Sequence, residues 1–221
     1  EIIILLDRSG SMQSIRSDME GAIESFLYER RLDTTKECGV TFIQFDHSWI
    51  DDPSGYQVQF VSKPLHLVEK IKFVPRGMTA LNDSVVRAID ETGQRFAQMK
   101  EEDRPSFVYF MIITDGLENN SKKFKANDVK NRIEHQTKNY GWEFRYLGAN
   151  QDAITTGEKI GVDNSRSATY KASSKGVKAM SSALRSDYTF TRARVRGELI
   201  KTDGICMDLQ SLYDEEEKKL K

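Results

Sequence analysis

The residues that most constrain the fold stand at the start of the chain, where five consecutive apolar side chains lead into an aspartate. The run from Ile2 to Leu6 is typical of a strand that is buried on both faces of a sheet. Asp7, Ser9 and Ser11 then alternate with other residues, and Gly10 allows a tight turn between the serines. Carboxylate and hydroxyl oxygens are hard donors of the kind that Mg²⁺ prefers. The pattern therefore predicts a metal-binding loop at the end of a buried strand.

Two later stretches supply further oxygen donors. Thr79 offers a hydroxyl near the predicted start of a helix, and Asp115 ends a second buried apolar run. In a parallel α/β sheet, ligands bind at the carboxyl ends of the strands, where the strand order reverses. Asp7 and Asp115 therefore converge only if their strands are neighbours at that reversal. Thr79 also has a simpler interpretation as the N-cap of the helix, and the two roles can coexist. Glu118 and Asn119 are candidates for the rim of the same crevice.

The rest of the chain alternates between strand and helix patterns. Apolar residues at helical spacing predict helices over 13–32, 65–71, 81–99, 125–139, 154–160 and 177–196. Runs rich in β-branched and aromatic residues predict strands over 38–46, 56–61, 142–148 and 168–170. Turn residues between 47 and 55 indicate a hairpin, so the strand that follows should be antiparallel to its neighbour. Buried strands that alternate with helices predict an α/β fold with helices on both faces of a mostly parallel sheet.

These stretches resemble the von Willebrand factor A (vWA) family. Its metal-ion-dependent adhesion site combines Asp-x-Ser-x-Ser, a distant Thr, and an Asp at the end of a later strand. The positions are filled in that order by Asp7, Ser9, Ser11, Thr79 and Asp115. The resemblance covers about 2–171 and implies a doubly wound, Rossmann-like, mostly parallel sheet with one antiparallel edge strand. We therefore expect a vWA domain at 1–172 and a C-terminal helical extension at 173–221, packed on the same domain or trailing from it.

The resemblance also implies how the site works. Ser9, Ser11 and Thr79 would ligate Mg²⁺ directly, with Mn²⁺ or Ca²⁺ as substitutes, and Asp7 and Asp115 would often act through water. One coordination position would stay open to an Asp or Glu carboxylate of a partner protein. The motifs are most similar to those of intracellular bacterial and phage members. That similarity implies complex assembly, in some relatives with an AAA+ ATPase or a stress-response system.

A hydrolase that uses the same pocket is the main alternative. Asp7 would be the nucleophile of an Mg²⁺-dependent, phosphatase-like enzyme, but such sites have a second aspartate two residues on, where this chain has Ser9. The sequence contains no P-loop, no Gly-x-Gly-x-x-G and no Gly-x-Ser-x-Gly motif. We therefore predict a non-enzymatic module for metal-dependent protein–protein interaction. A scaffold with a vestigial metal site is a third interpretation, and the complete set of ligands argues against it.

Composition limits the partners and the location. The 221 residues carry a net charge of −1, which gives no general attraction to nucleic acid or to an anionic membrane. No apolar run approaches the ~20 residues of a membrane-spanning helix. Two distant cysteines, Cys38 and Cys206, favour a reducing compartment, so we expect a cytoplasmic protein, although a disulfide between them stays open. The chain begins without Met, so we expect residues upstream of Glu1, where a targeting signal is an open alternative.

Overall fold

The computed structural model describes residues 1–32, 37–197 and 208–220. Within these residues the strands form a six-stranded sheet in the order β3-β2-β1-β4-β5-β6. The strands are β1 (Ile2–Asp7), β2 (Gly39–Phe45), β3 (Tyr56–Pro64), β4 (Tyr109–Thr114), β5 (Glu143–Ala149) and β6 (Ser167–Tyr170). Neighbouring strands are parallel except for β2 and β3, which are antiparallel. The predicted antiparallel edge strand is therefore confirmed.

Helices cover both faces of this sheet. They are α1 (Arg16–Arg31), α2 (Leu81–Ala97), α3 (Ala126–Tyr140), α4 (Ala153–Lys159), α5 (Ser174–Val195) and α6 (Leu209–Lys219). Alternate residues of β1 point to opposite faces, so Ile4 belongs to the core shared with α1, α5 and α6, and Leu5 to the core shared with α2, α3 and α4. The predicted α/β architecture is confirmed. None of the described helices is both long enough and apolar enough to cross a bilayer.

The strand order reverses between β1 and β4. From β1 the chain continues outward to β2 and β3, and it then returns to the other side of β1 with β4. Leu6 pairs with Ile113 in this parallel register. Asp7 and Thr114, the next residue of each strand, therefore end the two strands side by side, and the loops that follow both strands open at one edge of the sheet.

The helix predicted over 65–71 is wrong. The structure has only a short 3₁₀ turn at Leu65–Leu67, and the chain then runs without regular structure until α2. Side chains of neighbouring elements satisfy this backbone: Arg31 donates to the carbonyl oxygens of residues 65 and 68, and Gln44 to that of residue 72. These hydrogen bonds replace those of a helix, and buried side chains such as Ile71 still reach the core.

The segment after residue 172 shares a core with the sheet. In α5, the Ser181 hydroxyl donates to the Ala22 carbonyl of α1 at 2.9 Å, and the Tyr188 ring packs on Tyr109 of β4 with 5.0 Å between centroids. The division of the chain at residue 172 stays a prediction. Cys206 lies outside the described residues, so its pairing stays open as well.

A buried ion pair joins α5 to the centre of the sheet. Arg145 of β5 is 0% exposed, and its Nε donates to Asp187 Oδ2 at 2.5 Å. The Tyr109 hydroxyl donates to the same oxygen at 2.6 Å, and Arg145 Nη2 donates to the Thr191 hydroxyl. Loss of Asp187 leaves the buried Arg145 guanidinium with only the Glu143 carboxylate, 3.2 Å away, as a counter-charge.

We expect Asp187→Ala to lower the free energy of unfolding by about 3 to 5 kcal/mol, because it leaves the Arg145 guanidinium buried without its main partner. Urea unfolding followed by circular dichroism measures the change. Glu102→Ala is the control, because Glu102 forms an exposed ion pair with Lys100 at 3.8 Å. Its loss should change the free energy of unfolding by less than about 1 kcal/mol. Equal effects of the two substitutions would contradict the importance of the buried pair.

Candidate metal centre

Asp7 closes β1 with a carboxylate that is 0% exposed. Its Oδ1 accepts a hydrogen bond from the backbone N–H of Ser9 at 2.6 Å. Its Oδ2 accepts one from the hydroxyl of Thr114, the last residue of β4, also at 2.6 Å. The carboxylate is therefore held between the first residues of its own loop and the end of the neighbouring strand.

The hydroxyls of Ser9 and Ser11 and the carboxylate of Asp115 form a group of oxygens beside Asp7. The two serine Oγ atoms lie 3.1 Å apart. Ser11 donates to Asp115 Oδ1 at 2.6 Å, and Ser9 lies within 3.4 Å of the same oxygen. Ser9 is buried whereas Ser11 is exposed, so this group faces solvent on the side of Ser11.

Thr79 comes from a third loop, and it does not cap a helix. Since α2 begins at Leu81 with Ala80 at the N-cap position, the N-cap interpretation of Thr79 is wrong. Its backbone N–H donates to Asn119 Oδ1 at 2.9 Å, and its carbonyl accepts from the N–H groups of Asn119 and Asn120. The Thr79 loop is thereby tied to the loop that carries Asp115.

Gly116 leaves the space into which the threonine points. A Cβ atom at this position would lie 2.7 Å from Thr79 Oγ1 and 3.7 Å from Asp7 Oδ2. A side chain here would therefore collide with the Thr79 hydroxyl, and glycine lets Thr79 and Asp7 face one crevice. The structure brings all five predicted side chains together, and their role as metal ligands stays a prediction.

The donor chemistry of this crevice fits a hard divalent cation. The described residues include no group of three or more His, Cys, Asp or Glu side chains placed to hold a metal. The crevice instead combines two carboxylates with three hydroxyls, which are all oxygen donors. Such a set suits Mg²⁺, Mn²⁺ or Ca²⁺.

The two carboxylates of the crevice are held in an environment that disfavours their charge. Burial raises the pKa of Asp7 to about 7; the hydrogen bonds from Thr114 and Ser9 oppose this shift, and the negative charge of Asp115 adds to it. Burial also raises the pKa of Asp115, with partial opposition from the hydroxyls of Ser11 and Ser9. A bound divalent cation would remove this conflict.

Asp46, which directly follows β2, ties two of the site loops together. Its buried carboxylate lies 2.6 Å from Nε of Arg8 and accepts a hydrogen bond from Nε of Arg76 at 2.9 Å. Arg8 belongs to the serine loop and Arg76 to the threonine loop. The same loops meet where the N–H of Gly10 donates to the carbonyl of Gly77 at 3.3 Å. The arrangement fixes Thr79 relative to Ser9 and Ser11.

Two further carboxylates hold the loop that follows Asp115. Asp83 is 0% exposed and accepts hydrogen bonds from the backbone N–H groups of residues 122, 123 and 124. Glu118 accepts from the N–H of Asn82 at 2.7 Å, which satisfies a free donor in the first turn of α2. The Glu118 carboxylate is thus bound to the backbone of the chain itself. Asn119 orients Thr79 through the hydrogen bond described above.

The sequence pattern missed the supporting residues of the site. Thr114 and Asp46 orient groups of the crevice without belonging to the motif. A signal for Asp46 was present, because it ends a buried strand as Asp7 and Asp115 do. No local signal identifies the contacts of Asp83, since the backbone N–H groups that donate to it lie about forty residues further along the chain and the Ser48 hydroxyl lies 35 residues before it.

Comparisons with known proteins identify the fold. No family model matches the chain, and no curated protein matches it. Proximal thread matrix protein 1 from the mussel byssus, solved with a zinc-occupied metal-ion-dependent adhesion site, superposes with a TM-score of 0.58 and 18% identity, over 86% of this chain and 47% of that one. The pilus adhesin SpaC from Lactobacillus rhamnosus GG gives 0.55 and 10%, over 89% of this chain and 30% of that one. The chain thus shares its α/β fold with these proteins and spans about half of the mussel protein's length.

Without a divalent cation, Asp7 should make the protein less stable as the pH rises. The Asp7 carboxyl has a pKa of about 7 in the folded protein and 3.8 in the unfolded chain. The unfolded chain therefore loses the proton first, and the free energy of unfolding decreases as the pH rises from 3.8 to 7. From pH 5 to pH 8 we expect a fall of about 2 to 3 kcal/mol from this group. Urea unfolding in chelator measures it. Asp7→Asn keeps the shape without the charge and should abolish most of the fall.

The exposed substitution Asp51→Asn is the control for this pH series and should leave the fall unchanged. An equal loss of stability with rising pH in wild type and Asp7→Asn would show that folding does not disfavour the charged form of the Asp7 carboxylate.

Proposed function

We propose that the chain binds a divalent cation, Mg²⁺ in the first place, through Asp7, Ser9, Ser11, Thr79 and Asp115, and that it docks an acidic side chain of a partner protein on that cation. The observation that carries the proposal is the convergence of these oxygens from three loops where the strand order reverses. The cation would supply a positive charge with a coordination position open to a carboxylate from outside.

The residues of the chain divide the work. Ser9, Ser11 and Thr79 present hydroxyl oxygens, which add no charge, while Asp7 and Asp115 supply the negative charge that holds the cation. Asp7 reaches this role already oriented by Thr114 and the Ser9 N–H. Because Ser11 is exposed, a partner can approach on its side. A partner that covers the crevice would remove water from around the cation. The attraction between the cation and the partner carboxylate would then be stronger than it is in water.

The related folds support a binding role. One is named as a matrix protein with zinc in its metal-ion-dependent adhesion site, and the other as an adhesin. We extend the proposal to a cytoplasmic assembly factor of the kind found in bacteria or phages, with an AAA+ ATPase or a stress-response complex as partner. The motif resemblance carries this extension.

Mg²⁺ binding should depend on the Ser11 hydroxyl. Ser11→Ala removes one proposed ligand from an exposed position, so we expect Mg²⁺ affinity to fall by at least about tenfold with the melting temperature little changed. Ser14→Ala is the matched control, since Ser14 is an exposed hydroxyl of the same turn outside the crevice. Isothermal titration calorimetry measures both. Loss of binding in the Ser14 variant alone would contradict the ligand assignment.

Partner capture should require both the cation and Asp7. Immobilised wild-type chain should retain partner proteins in Mg²⁺ and release them in chelator, and Asp7→Ala should retain none of the chelator-sensitive set, because the cation loses a carboxylate. Interaction proteomics compares the two. A phosphatase assay in Mg²⁺ tests the hydrolase alternative, and turnover that Asp7→Ala abolishes would favour an enzyme instead.

A further inference from the structure

Two large apolar side chains stand exposed on the loops that carry the proposed ligands. Leu117, two residues after Asp115, is 62% exposed, and Met78, directly before Thr79, is 45% exposed. A single exposed apolar residue is ordinary on a protein surface. Here two of them border one crevice, and we name them the apolar rim.

The apolar rim is held in place by its surroundings. Asn120 donates through Nδ2 to Met78 Sδ at 3.4 Å, and its Oδ1 accepts from the N–H of Ser48 at 2.9 Å. Leu117 lies between Gly116, whose N–H donates to the Thr114 hydroxyl oxygen, and Glu118, whose carboxylate accepts from three backbone N–H groups. The exposure of the rim is therefore not the result of a loose loop. A surface ordered in advance loses little conformational entropy when a partner covers it.

Two cations on the loops around the crevice have acidic partners within the chain. Lys122 lies 3.6 Å from Asp51, and Arg76 donates to the buried Asp46. Because Lys122 and Arg76 already have acidic partners, neither favours a second acidic residue in the partner protein. Next to the cation, the contact that the surface offers is apolar.

We propose that the docking segment of the partner is an extended acidic peptide with an apolar side chain two residues from the carboxylate that meets the cation, and that this side chain packs on Leu117 and Met78. The inference rests on the proposed function. In an extended chain, side chains at i and i+2 share one face, roughly 7 Å apart. Leu117 follows Asp115 by two residues and Met78 directly precedes Thr79, so the apolar rim adjoins two of the proposed ligands and lies within reach of a side chain next to the docked carboxylate.

A displayed peptide library tests the register. Nine-residue peptides with a fixed central Glu and random flanks are selected on the immobilised 221-residue chain in Mg²⁺ and eluted with chelator. We expect Leu, Ile, Val, Met or Phe to be enriched two residues before or after the Glu, and not at the adjacent positions. Synthetic peptides from this selection should bind about tenfold more weakly to Leu117→Ser and to Met78→Ser.

The controls separate the rim from the cation. Mg²⁺ affinity by calorimetry should be unchanged in both rim variants, since neither side chain is a proposed ligand. Tyr140→Ser removes a side chain that is 63% exposed at the end of α3, and it should leave peptide affinity unchanged. Chelator-sensitive binding with no preference two residues from the Glu, or equal binding to the rim variants, would overturn this inference alone. Binding that resists chelator, or that does not exceed binding to Asp7→Ala, would overturn the proposed function and this inference with it.

Discussion

The structure depends on one buried carboxylate placed between two parallel strands. Asp7 is fully buried at the end of β1, and it keeps its place because a backbone N–H of its own loop and the Thr114 hydroxyl of β4 each donate to it. Burial without a counter-ion is unfavourable for such a group, as its raised pKa indicates. A divalent cation bound here would compensate the charge that burial disfavours and would also reduce the repulsion between Asp7 and Asp115.

The loops around Asp7 are ordered by other carboxylates, which bind groups of the protein itself. Asp46 holds two arginines from two loops, Asp83 accepts three backbone N–H groups, and Glu118 satisfies the start of α2. Asp83 and Glu118 thereby give backbone N–H groups the acceptors that regular structure would otherwise have supplied. The site is thus built before any ligand arrives, which reduces the entropy lost on binding.

The sequence predicted the features that come from local periodicity. The apolar runs at the ends of which Asp7 and Asp115 stand became neighbouring strands, and the Asp-x-Ser-x-Ser spacing brought both serines to the crevice. Prediction failed where distant side chains satisfy the backbone. Val68 and Ile71 stand at helical spacing. The backbone there is not helical, because the carbonyl oxygens of residues 68 and 72 accept hydrogen bonds from the side chains of Arg31 and Gln44. The partners of Asp83 are equally remote, so neither spacing nor composition identifies that residue.

The geometry of Asp7 argues for docking over hydrolysis. A carboxylate nucleophile has to present an oxygen to its substrate, but both oxygens of Asp7 accept short hydrogen bonds and the side chain is 0% exposed. The group that does face solvent is the hydroxyl of Ser11, whose donor role is already directed at Asp115. The crevice thus offers an oxygen donor to solvent beside exposed apolar side chains, which is the combination that the proposed metal-dependent contact between proteins requires.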